Sequence, residues 1–501
     1  MTERVVVIVG AGVAGTGVLW HLVDALRGAP GRPVGSIVVA DPSPAGWGLA
    51  FGDDDPLLMC NSAADANSLL PDRPDDFVEY LRGRGWTGKP DACVPRARMA
   101  EYCQDLWTRA RDLAGERGVA VRHVRAAVRA IRPGVRPVVE LGTGERITAD
   151  DVVVATGVHR PRVPDGFAEF TAHPRYLDSP YPAARLRAEL GTGRRVLVLG
   201  SRQSAVDAAL LLSRDGHRTT MASPSGTLPS VRISLHAPAR AFPPLERLAR
   251  LDPADPLLAE RMTRCVVEAV RLLGNTPLRR QTSRAADPVR RLAEETALAE
   301  AGTCQWPGVA MAAMEAFTAF ADGLPLERRK ALMARFDWFT GRYVTALAAV
   351  NARRLLGHLE SGAVELAPAY PRSVSFRDGL WRVEWPGSAP SVPSAPSTPS
   401  TPSTPESFDY VVNATGFHPP ELWWADGGAE LRLAPHGSAT VGHLAPDLRV
   451  RRAPGTAPER IRVAGVGTHP RIPFSNHLRT VARQTRAVAR QVAEGGGFES
   501  L

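Results

Sequence analysis

The feature that most constrains the fold of this chain is a glycine-rich loop near residue 10. Arg4 to Val9 is typical of a buried strand and is followed directly by Gly10-Ala11-Gly12-Val13-Ala14-Gly15 and a helix. In this GxGxxG pattern the first glycine permits a tight turn, the second lets a pyrophosphate approach the backbone, and the third lets the helix pack on the strand. The helix N-terminus then holds the phosphates. The loop predicts a dinucleotide site at Gly10, Gly12, Ala14 and Gly15.

An acidic residue follows at the end of the next predicted strand. Ile37 to Ala40 is followed by Asp41, which would accept hydrogen bonds from an adenosine ribose. A tight strand-to-helix turn that binds no ligand is the alternative interpretation. The combination of strand, turn, helix and acidic residue favours a ligand. We expect FAD rather than NAD, because the unit is N-terminal and a second, separate unit follows.

A second unit of the same kind starts at residue 196. The apolar strand Val196–Leu199 is followed by Gly200-Ser201-Arg202-Gln203-Ser204-Ala205 and a helix up to Leu212. Arg202 stands where the pattern has its middle glycine, so either its side chain pairs with a phosphate or the site is weakened or lost. We favour retained binding, with the cofactor-binding residues Gly200, Ser201, Arg202, Gln203 and Ser204.

The strand after this second loop ends differently from its counterpart. Residues 219–222 are followed by Ser223 and Ser225 instead of an acidic residue, with Arg218 and Arg232 nearby. A carboxylate at this position would repel the 2′-phosphate of NADPH. Its absence favours NADPH as the second cofactor, although the preference over NADH stays open.

Two strand-to-turn segments accompany the two loops. Val152–Gly157 and Val411–Phe417 each run from an apolar strand into an Ala-Thr-Gly turn. Two loops and two turns predict an α/β fold with two Rossmann-like dinucleotide-binding domains, a discontinuous FAD domain and an NADPH domain inserted into it. The turn residues expected beside the cofactors are Thr156, Gly157, Thr415 and Gly416.

The order of these motifs sets the expected domain boundaries. Residues 255–360 show helical periodicity, and residues 387–407 consist of Ser-Ala-Pro and Ser-Thr-Pro repeats that predict a disordered surface insert within a hairpin. The predicted division is the N-terminal part of the FAD domain at 1–165, the NADPH domain at 190–375 with a helical insertion at about 250–350, the insert at 387–407, and the C-terminal part of the FAD domain at 408–501.

Composition argues against several other classes of protein. None of the five cysteines forms a CxxC pair, so neither a zinc site, a disulfide framework nor a disulfide reductase is predicted. The net charge of +9 comes almost entirely from dispersed arginines, so nucleic-acid binding is not expected. No apolar run approaches the roughly 20 residues of a membrane span. Since no signal peptide precedes the first strand, we expect a cytoplasmic protein without membrane contact; homo-oligomerisation stays open.

Taken together, the motifs resemble the class B flavin-dependent monooxygenases. The resembling segments are residues 58–61, where the family places an Asn against the flavin; residues 167–173, similar to its FxGxxxH fingerprint; residues 200–205, similar to its GSGQSA loop; and residues 409–417, similar to its ATGY segment. The departures from these patterns are Glu169, Arg202, Asn413 and Phe417. The resemblance covers most of the chain apart from residues 255–345 and the Pro-rich insert.

This resemblance implies FAD and NADPH as cofactors, and O2 with a small-molecule amine or amino acid as substrates. It implies N-oxidation through a flavin C4a-hydroperoxide, with a bacterial branch of amino-acid N-oxygenases as the most similar pattern. L-aspartate conversion to nitrosuccinate in a specialised-metabolite pathway is the reaction that this branch suggests. Two alternatives stay open: a C- or S-oxygenating relative or flavin dehydrogenase, and a nucleotide-binding regulatory protein with a degenerate second site, which Arg202 would explain.

The resemblance also suggests a catalytic residue. Asn61 is expected near the flavin C4a, because an amide can donate a hydrogen bond to bound oxygen without protonating it away. The alternative is that Asn61 caps a helix beginning at residues 62–64. Asn67 is a weaker second candidate.

Near the C-terminus, Gly467 is expected beside the cofactor. The N-terminus of the helix after His477 could stabilise negative charge on the reduced flavin. For His477 itself, a capping or core role is favoured over contact with flavin or substrate. An acidic substrate would need bidentate arginines. The candidates in or near the helical insert, none of them assigned, are Arg279, Arg280, Arg284 and Arg342.

Overall fold

A computed structural model describes residues 3–27, 33–158, 160–233, 241–274, 278–367, 369–386, 406–420, 422–433, 444–469 and 471–495. The strands, in chain order, are β1 (Arg4–Val9), β2 (Val34–Ala40), β3 (Ala120–Val124), β4 (Val128–Arg132), β5 (Val138–Leu141), β6 (Arg146–Thr148), β7 (Asp151–Val154), β8 (Tyr176–Leu177), β9 (Arg195–Leu199), β10 (Arg218–Ala222), β11 (Val231–Arg232), β12 (Leu347–Ala348), β13 (Val364–Leu366), β14 (Ser373–Arg377), β15 (Leu380–Glu384), β16 (Glu406–Phe408), β17 (Tyr410–Asn413), β18 (Trp423–Ala425), β19 (Glu430–Arg432) and β20 (Ile461–Val463).

Helices connect and cover these strands. The helices are α1 (Val13–Ala25), α2 (Asp76–Gly83), α3 (Ala97–Glu116), α4 (Ala183–Leu190), α5 (Gln203–Arg214), α6 (Pro243–Glu246), α7 (Leu258–Arg271), α8 (Pro288–Glu300), α9 (Trp306–Asp322), α10 (Leu326–Arg335), α11 (Asp337–Phe339), α12 (Ala349–Glu360) and α13 (Leu478–Ala493). A π-helical turn, Thr340–Val344, follows α11 directly.

The first nucleotide-binding unit is a five-stranded parallel sheet in the order β20-β7-β1-β2-β3. Its strands are runs of Val and Ile because both faces of the sheet are covered. On one face, α1 and α13 pack together through a shared core that includes Val18, Leu22, Val488 and Val492. The two helices approach closely at Gly17, where a Cβ atom would lie 2.8 Å from the hydroxyl oxygen of Thr485.

The second unit repeats this arrangement. Its parallel sheet has the order β13-β10-β9-β17-β8, so in both units the strand that carries an Ala-Thr-Gly turn lies beside the strand that carries the glycine loop. Helices α5, α8 and α12 cover this sheet and share its core. The two parallel sheets confirm the predicted α/β class with two Rossmann-like units.

The domain boundaries need two corrections. Residues 410–413 were predicted to belong to the C-terminal part of the FAD domain, but β17 pairs with β9 in the second sheet. The strand β8, at residues 176–177, also belongs to the second sheet, before its predicted start at 190. The turn at Gly416 follows β17 and therefore belongs to the second sheet. The chain returns to the first unit only after this turn.

Two antiparallel layers complete the fold. Strands β18-β19-β4-β5-β6 form one sheet, and β14-β15-β16 form a three-stranded meander. Within the predicted Pro-rich insert, residues 387–405 lie outside the described residues, whereas Glu406 and Ser407 already belong to β16. The strands on either side of those residues, β15 and β16, are antiparallel neighbours.

The predicted helical region divides into two parts. Helices α8 and α12 belong to the second sheet. Helices α6, α7, α9 and α10 instead build a separate core rich in Met and Phe, and Phe474 from the loop before α13 packs against it. The helices of this second part, with the π-helical turn, form what we call the helical cap.

Candidate active site

The first glycine loop contains two glycines that the fold itself requires. Gly10 has a φ of +104°, and a Cβ atom there would lie 2.7 Å from the carbonyl oxygen of Ala155. A Cβ atom on Gly15 would lie 1.8 Å from the carbonyl oxygen of Gly10. Gly12 is different, because its nearest neighbour is the Cα atom of Gly48 at 4.0 Å from such a Cβ. The open space at Gly12 is the feature that a bound pyrophosphate would explain.

Asp41 has a structural role beside the expected ribose contact. Its two carboxylate oxygens accept hydrogen bonds from the backbone N–H groups of Ala11 and Ser43, both at 2.7 Å. The carboxylate therefore ties the glycine loop to the end of β2. Each oxygen keeps a second lone pair, so Asp41 can still accept a ribose hydroxyl.

The second loop repeats the geometry of the first. Gly200 has a φ of +126°, and a Cβ atom there would lie 2.7 Å from the carbonyl oxygen of Ala414. The turn after Ala414 is held by Asn413, whose side-chain amide donates to the carbonyl of Arg162 at 2.7 Å and accepts from the hydroxyl of Thr415 at 2.7 Å. Asn413, a departure from the family pattern, thus orders the turn. Thr156 and Gly157 follow β7 at the corresponding place.

Two side chains of the second loop reach the helical cap. The Arg202 guanidinium lies 3.9 Å from the Asp337 carboxylate, and a Cβ atom on Gly341 would lie 2.6 Å from its Nη2. The Gln203 amide donates to the carbonyls of Thr345 and Ala346, at 2.9 and 3.0 Å. Ser201 and Ser204 are half-buried. The second loop is therefore tied to residues 337–346, the segment that includes the π-helical turn.

Asn61 reaches the same segment from the first unit. Its side-chain amide donates to the carbonyl of Ala346 at 3.0 Å, and its Oδ1 is buried without a hydrogen-bond partner among the described residues. The short helix Ala64–Ala66 begins after Ala63 and has no side-chain cap, so the alternative that Asn61 caps a helix is wrong. An unpartnered buried acceptor leaves Asn61 available to a ligand.

Asn67, the second candidate, is fully buried. Its Oδ1 accepts a hydrogen bond from the Ser62 hydroxyl at 2.5 Å, while its Nδ2 has no partner in the part of the chain that the structure describes. A buried amide donor without a partner is costly. Both amides in this short stretch therefore carry one unmatched polar atom.

Arg232 is a buried cation beside Asn61, a contact that the sequence did not reveal. It is 1% exposed, and its guanidinium donates to the carbonyls of Tyr343 (2.8 Å), Val344 (3.0 Å) and Asn61 (3.4 Å). Within the described ranges, its Nε has no partner and no carboxylate pairs with it. Burial lowers the pKa of Arg232 to about 10. The positive charge lies where the π-helical turn ends, which stabilises the terminal carbonyls.

A buried ion pair joins the two units behind Asn61. The Arg96 guanidinium lies 2.6 Å from the carboxylate of Asp207 on α5, and the Tyr181 hydroxyl donates to the same oxygen at 2.6 Å. The Arg96 Nε also donates to the carbonyl of Met59 at 3.1 Å. The ion pair therefore fixes the segment before Asn61 against the helix of the second loop.

The C-terminal turn that contains Gly467 is ordered by α13. The side-chain oxygen of Gln484 accepts hydrogen bonds from the Gly465 N–H at 3.1 Å and the Thr468 hydroxyl at 3.3 Å. A Cβ atom on Gly465 would lie 2.9 Å from the Cβ of Ala14, so this turn touches the start of α1. Gly467 lies in the same turn, where a Cβ atom would come within 2.7 Å of Cγ1 of Val463.

His477 precedes α13 without capping it. Its side chain makes no cap hydrogen bond, and in the described chain its Nε2 is buried without a partner. Burial, reinforced by Arg479 and Arg232, lowers the pKa of His477 to about 4. The imidazole is therefore neutral at pH 7, and the N-terminus of α13 is free of a side-chain cap.

Two neighbouring cavities lie in the helical cap. The larger, about 710 Å³, is lined by Leu248, Met262, Val266, Ala313, Met314, Phe317, Met333, Ala334, Phe336, Asp337, Phe339, Thr340, His469, Phe474 and Asn476. The smaller, about 450 Å³, is lined by Thr263, Val266, Val267, Val270, Arg271, Gly274, Trp306, Val309, Ala310, Phe336, Trp338, Phe339 and Tyr343. The shared lining residues show that the two spaces adjoin.

Two other features, a cluster that could bind a metal ion and a helix that could cross a membrane, are absent from the described residues. No cluster of three or more His, Cys, Asp or Glu side chains there could hold a metal ion. Among the same residues, no helix has the length and apolar character to cross a membrane. The segment 167–173 has a packing role, since His173 contacts the rings of Phe376 and Trp381.

Comparisons with known proteins agree with this geometry. Residues 7–159 match a protein-family model described as FAD-NAD(P)-binding. An ornithine hydroxylase from Pseudomonas aeruginosa is similar over 99% of this chain and 100% of its own, with a TM-score of 0.58 and 12% identity. An L-lysine 6-monooxygenase from Pseudomonas syringae has a TM-score of 0.51 and 17% identity, over 99% of this chain and 100% of its own. No curated protein sequence matches the chain.

These findings define the class of fold. The chain has the fold of flavin monooxygenases with two dinucleotide-binding domains. The family match over residues 7–159 confirms the predicted cofactor class for the first unit. The open space at Gly12, the uncapped α13 and the unmatched Asn61 oxygen are compatible with a bound dinucleotide whose ring end lies near residue 61.

Proposed function

We propose that the protein is an FAD- and NADPH-dependent monooxygenase that N-oxidises an amine. One observation carries the proposal: Asn61 of the first unit and Gln203 of the second loop donate to the same carbonyl oxygen, that of Ala346. The two predicted nucleotide sites therefore meet at a single backbone group. Such a meeting point is what electron transfer from a nicotinamide to a flavin needs.

Each part of the site has a defined task in this proposal. Reduced FAD, when bound, supplies the activation of O2. Gly12 and the N-terminus of α1 would hold its pyrophosphate. At the reacting end, the second N–H of the Asn61 amide would donate a hydrogen bond, because the first already binds the Ala346 carbonyl and the unmatched Oδ1 can only accept. Arg232 provides positive charge there without a proton that leaves readily, since the pKa of its guanidinium stays near 10. The neutral His477 likewise delivers no proton at pH 7.

Overall, one cycle would consume one amine, one O2, one NADPH and one proton. It would form one hydroxylamine, one NADP⁺ and one water. The task of the apolar helical cap in this proposal is to keep bulk water away from the reacting end, so that the activated oxygen is not released as peroxide.

The finer proposal, L-aspartate as the substrate, needs cations for two carboxylates. Of the four candidate arginines, Arg342 already pairs with the buried Glu295 at 2.9 Å. Arg279, Arg280 and Arg284 are exposed on the surface. Arg232 is the buried cation that an acidic substrate could reach beside Asn61. Aspartate is therefore the reference compound against which other amines should be measured.

The test combines cofactor and product measurements. The purified protein should be yellow, should be bleached by NADPH without oxygen, and should consume NADPH and O2 with a suitable amine to give a hydroxylamine. Oxygenation at carbon or sulfur, or oxidation of the substrate without oxygen insertion, would support the C- or S-oxygenating or dehydrogenase alternative. Substrate-independent peroxide as the sole product would contradict N-oxidation.

One observation favours a second candidate, a nucleotide-binding regulatory protein. Arg202 replaces a loop glycine and lies against Gly341, so the second loop departs from an open phosphate site. Arg202→Gly separates the two functions. If Arg202 pairs with a phosphate, the variant should raise the KM for NADPH about tenfold. A protein that stays yellow with NADPH, with or without the substitution, would support the regulatory candidate.

A further inference from the structure

We propose that the two adjoining cavities of the helical cap bind the apolar body of the amine substrate, and that this substrate carries no carboxylate in that space. The inference rests on the proposed function and adds the class of substrate to it. It departs from aspartate, because the size and the charge of the cavities fit a different kind of amine.

The lining of the larger cavity is predominantly apolar. Its lining includes Met262 of α7, Met314 and Phe317 of α9, Met333 of α10, and Phe336 directly after α10. Its volume of about 710 Å³, with a further 450 Å³ next to it, is that of a pocket for a drug-sized ligand. Flexible Met side chains adapt to irregular apolar groups. A four-carbon amino acid would leave most of this space unfilled.

Charge is the second argument. The larger cavity is lined by neither Lys nor Arg, and its ionisable groups are Asp337 and His469. Burial lowers the pKa of His469, so its imidazole is neutral at pH 7. The smaller cavity is lined by one cation, Arg271, and this residue is exposed to solvent. A substrate carboxylate inside the larger cavity would find no cation among the lining residues, and such burial is strongly unfavourable.

An amine meets the opposite conditions. The Asp337 carboxylate lies 3.9 Å from the Arg202 guanidinium but is well exposed, so it can also attract an ammonium group from solvent. Inside the apolar space, burial lowers the pKa of an amine and favours its neutral form. The neutral form has the free electron pair that attacks an activated oxygen. The cavity would therefore select an amine and also prepare it for reaction.

A short stretch of chain connects the cavity wall to the reacting end of the site. Phe336, Asp337, Phe339 and Thr340 line the larger cavity. The same stretch of chain continues through the π-helical turn to Ala346, which accepts from Asn61 and Gln203. His469, on the other wall, lies two residues after Gly467. π-Helical turns occur frequently at functional sites, and this one joins the cavity to both nucleotide units.

The test uses the flavin-loaded protein with NADPH, O2 and a series of amines: butylamine, hexylamine, octylamine and L-aspartate. Each buried methylene should raise kcat/KM by up to about fourfold, so octylamine should exceed butylamine by at least about tenfold. Hydroxylamine formed per NADPH consumed should rise along the same series. Aspartate should be oxidised poorly.

Variants locate the effect in the cavity. Ala313→Phe and Val266→Phe place a ring in the larger cavity and should raise the KM for octylamine about tenfold, with a smaller change for butylamine. Ala319→Phe is the matched control, because Ala319 is exposed on the same helix and lines neither cavity. Flavin content and circular dichroism show which variants have folded.

A second readout does not depend on turnover. Trp306 and Trp338 line the smaller cavity, so octylamine at submicellar concentration should change the tryptophan fluorescence of the wild type and not of Val266→Phe. Coupled oxidation of aspartate with a flat alkylamine series would overturn this inference while the proposed function stands. Octylamine binding without any N-oxidised product would overturn the proposed function instead, and absence of both binding and chain-length dependence would overturn the substrate class.

Discussion

The Arg96 guanidinium and the Asp207 carboxylate lie 2.6 Å apart across the boundary between the two nucleotide-binding units. The Asp207 side chain is fully buried and Arg96 is largely so. Because Arg96 also donates to the carbonyl of Met59, the pair positions the residues just before Asn61. The two units thus share a charged contact directly behind the candidate active site.

Asp207→Asn should destabilise the protein by about 3–5 kcal/mol, because it leaves the Arg96 charge buried without its partner. The free energy of unfolding in urea measures this effect. Asp105→Asn removes two partly exposed ion pairs, with Arg84 and Arg109, and should cost no more than about 1 kcal/mol. Equal costs for the two substitutions would contradict a dominant role of the buried pair.

Gly12→Ala and Gly15→Ala should differ in kind. Gly15→Ala brings a Cβ atom to 1.8 Å from the Gly10 carbonyl, so we expect misfolding and loss of flavin. Gly12→Ala meets open space, so the free protein should keep its thermal stability while its FAD affinity falls about tenfold or more. Flavin content after desalting and melting of the flavin-free protein check both results. Unchanged FAD affinity in Gly12→Ala would place the pyrophosphate elsewhere.

Asn61→Ala and Gln203→Ala each remove one hydrogen bond to the Ala346 carbonyl. If Asn61 acts on the oxygen step, its substitution should lower hydroxylamine formation about ten- to hundredfold, while NADPH consumption continues and yields peroxide. Gln203→Ala should instead raise the KM for NADPH and leave the product formed per NADPH unchanged. Identical uncoupling in both variants would mean that Asn61 merely holds the cap segment.

His477 makes stability depend on pH below neutrality. Its pKa is about 4 in the folded chain and near 6.5 when exposed, so the unfolded state binds an additional proton between these values. Stability is therefore lost as the pH falls from about 6.5 to 4, by at most about 3 kcal/mol. His477→Gln should flatten this part of the stability curve relative to wild type. Parallel curves for the two proteins would show that His477 is solvated in the native state.

The local features of the site could be predicted from sequence, because each depends on a few consecutive residues. The glycine loops at Gly10 and Gly200 and the turns after Ala155 and Ala414 need only a strand, a tight turn and a small residue at the point of contact. The structure places each loop against the turn of its own unit, Gly10 beside Ala155 and Gly200 beside Ala414, as their repeated order predicts. The roles of these residues toward cofactors stay predictions.

The long-range contacts could not be predicted in the same way. Arg232 lies far from Asn61 in sequence and reaches it only because β11 pairs with β12 beside the π-helical turn. The assignment of β17 to the second sheet depends on its pairing with β9, and an Ala-Thr-Gly turn has the same local sequence in either sheet. The sequence around Arg232 does not distinguish this buried arginine from the many exposed ones.

The interleaving of the two units has a consequence for biosynthesis. Every strand of the second sheet has been synthesised once Asn413 is added, whereas the first sheet still lacks β20 and its helical cover α13. Since chains fold domain by domain as they emerge, the second unit can close first, although its synthesis starts later. Until β20 (Ile461–Val463) emerges, β7 presents an open edge, and this late strand is what protects the nascent sheet from edge-to-edge aggregation.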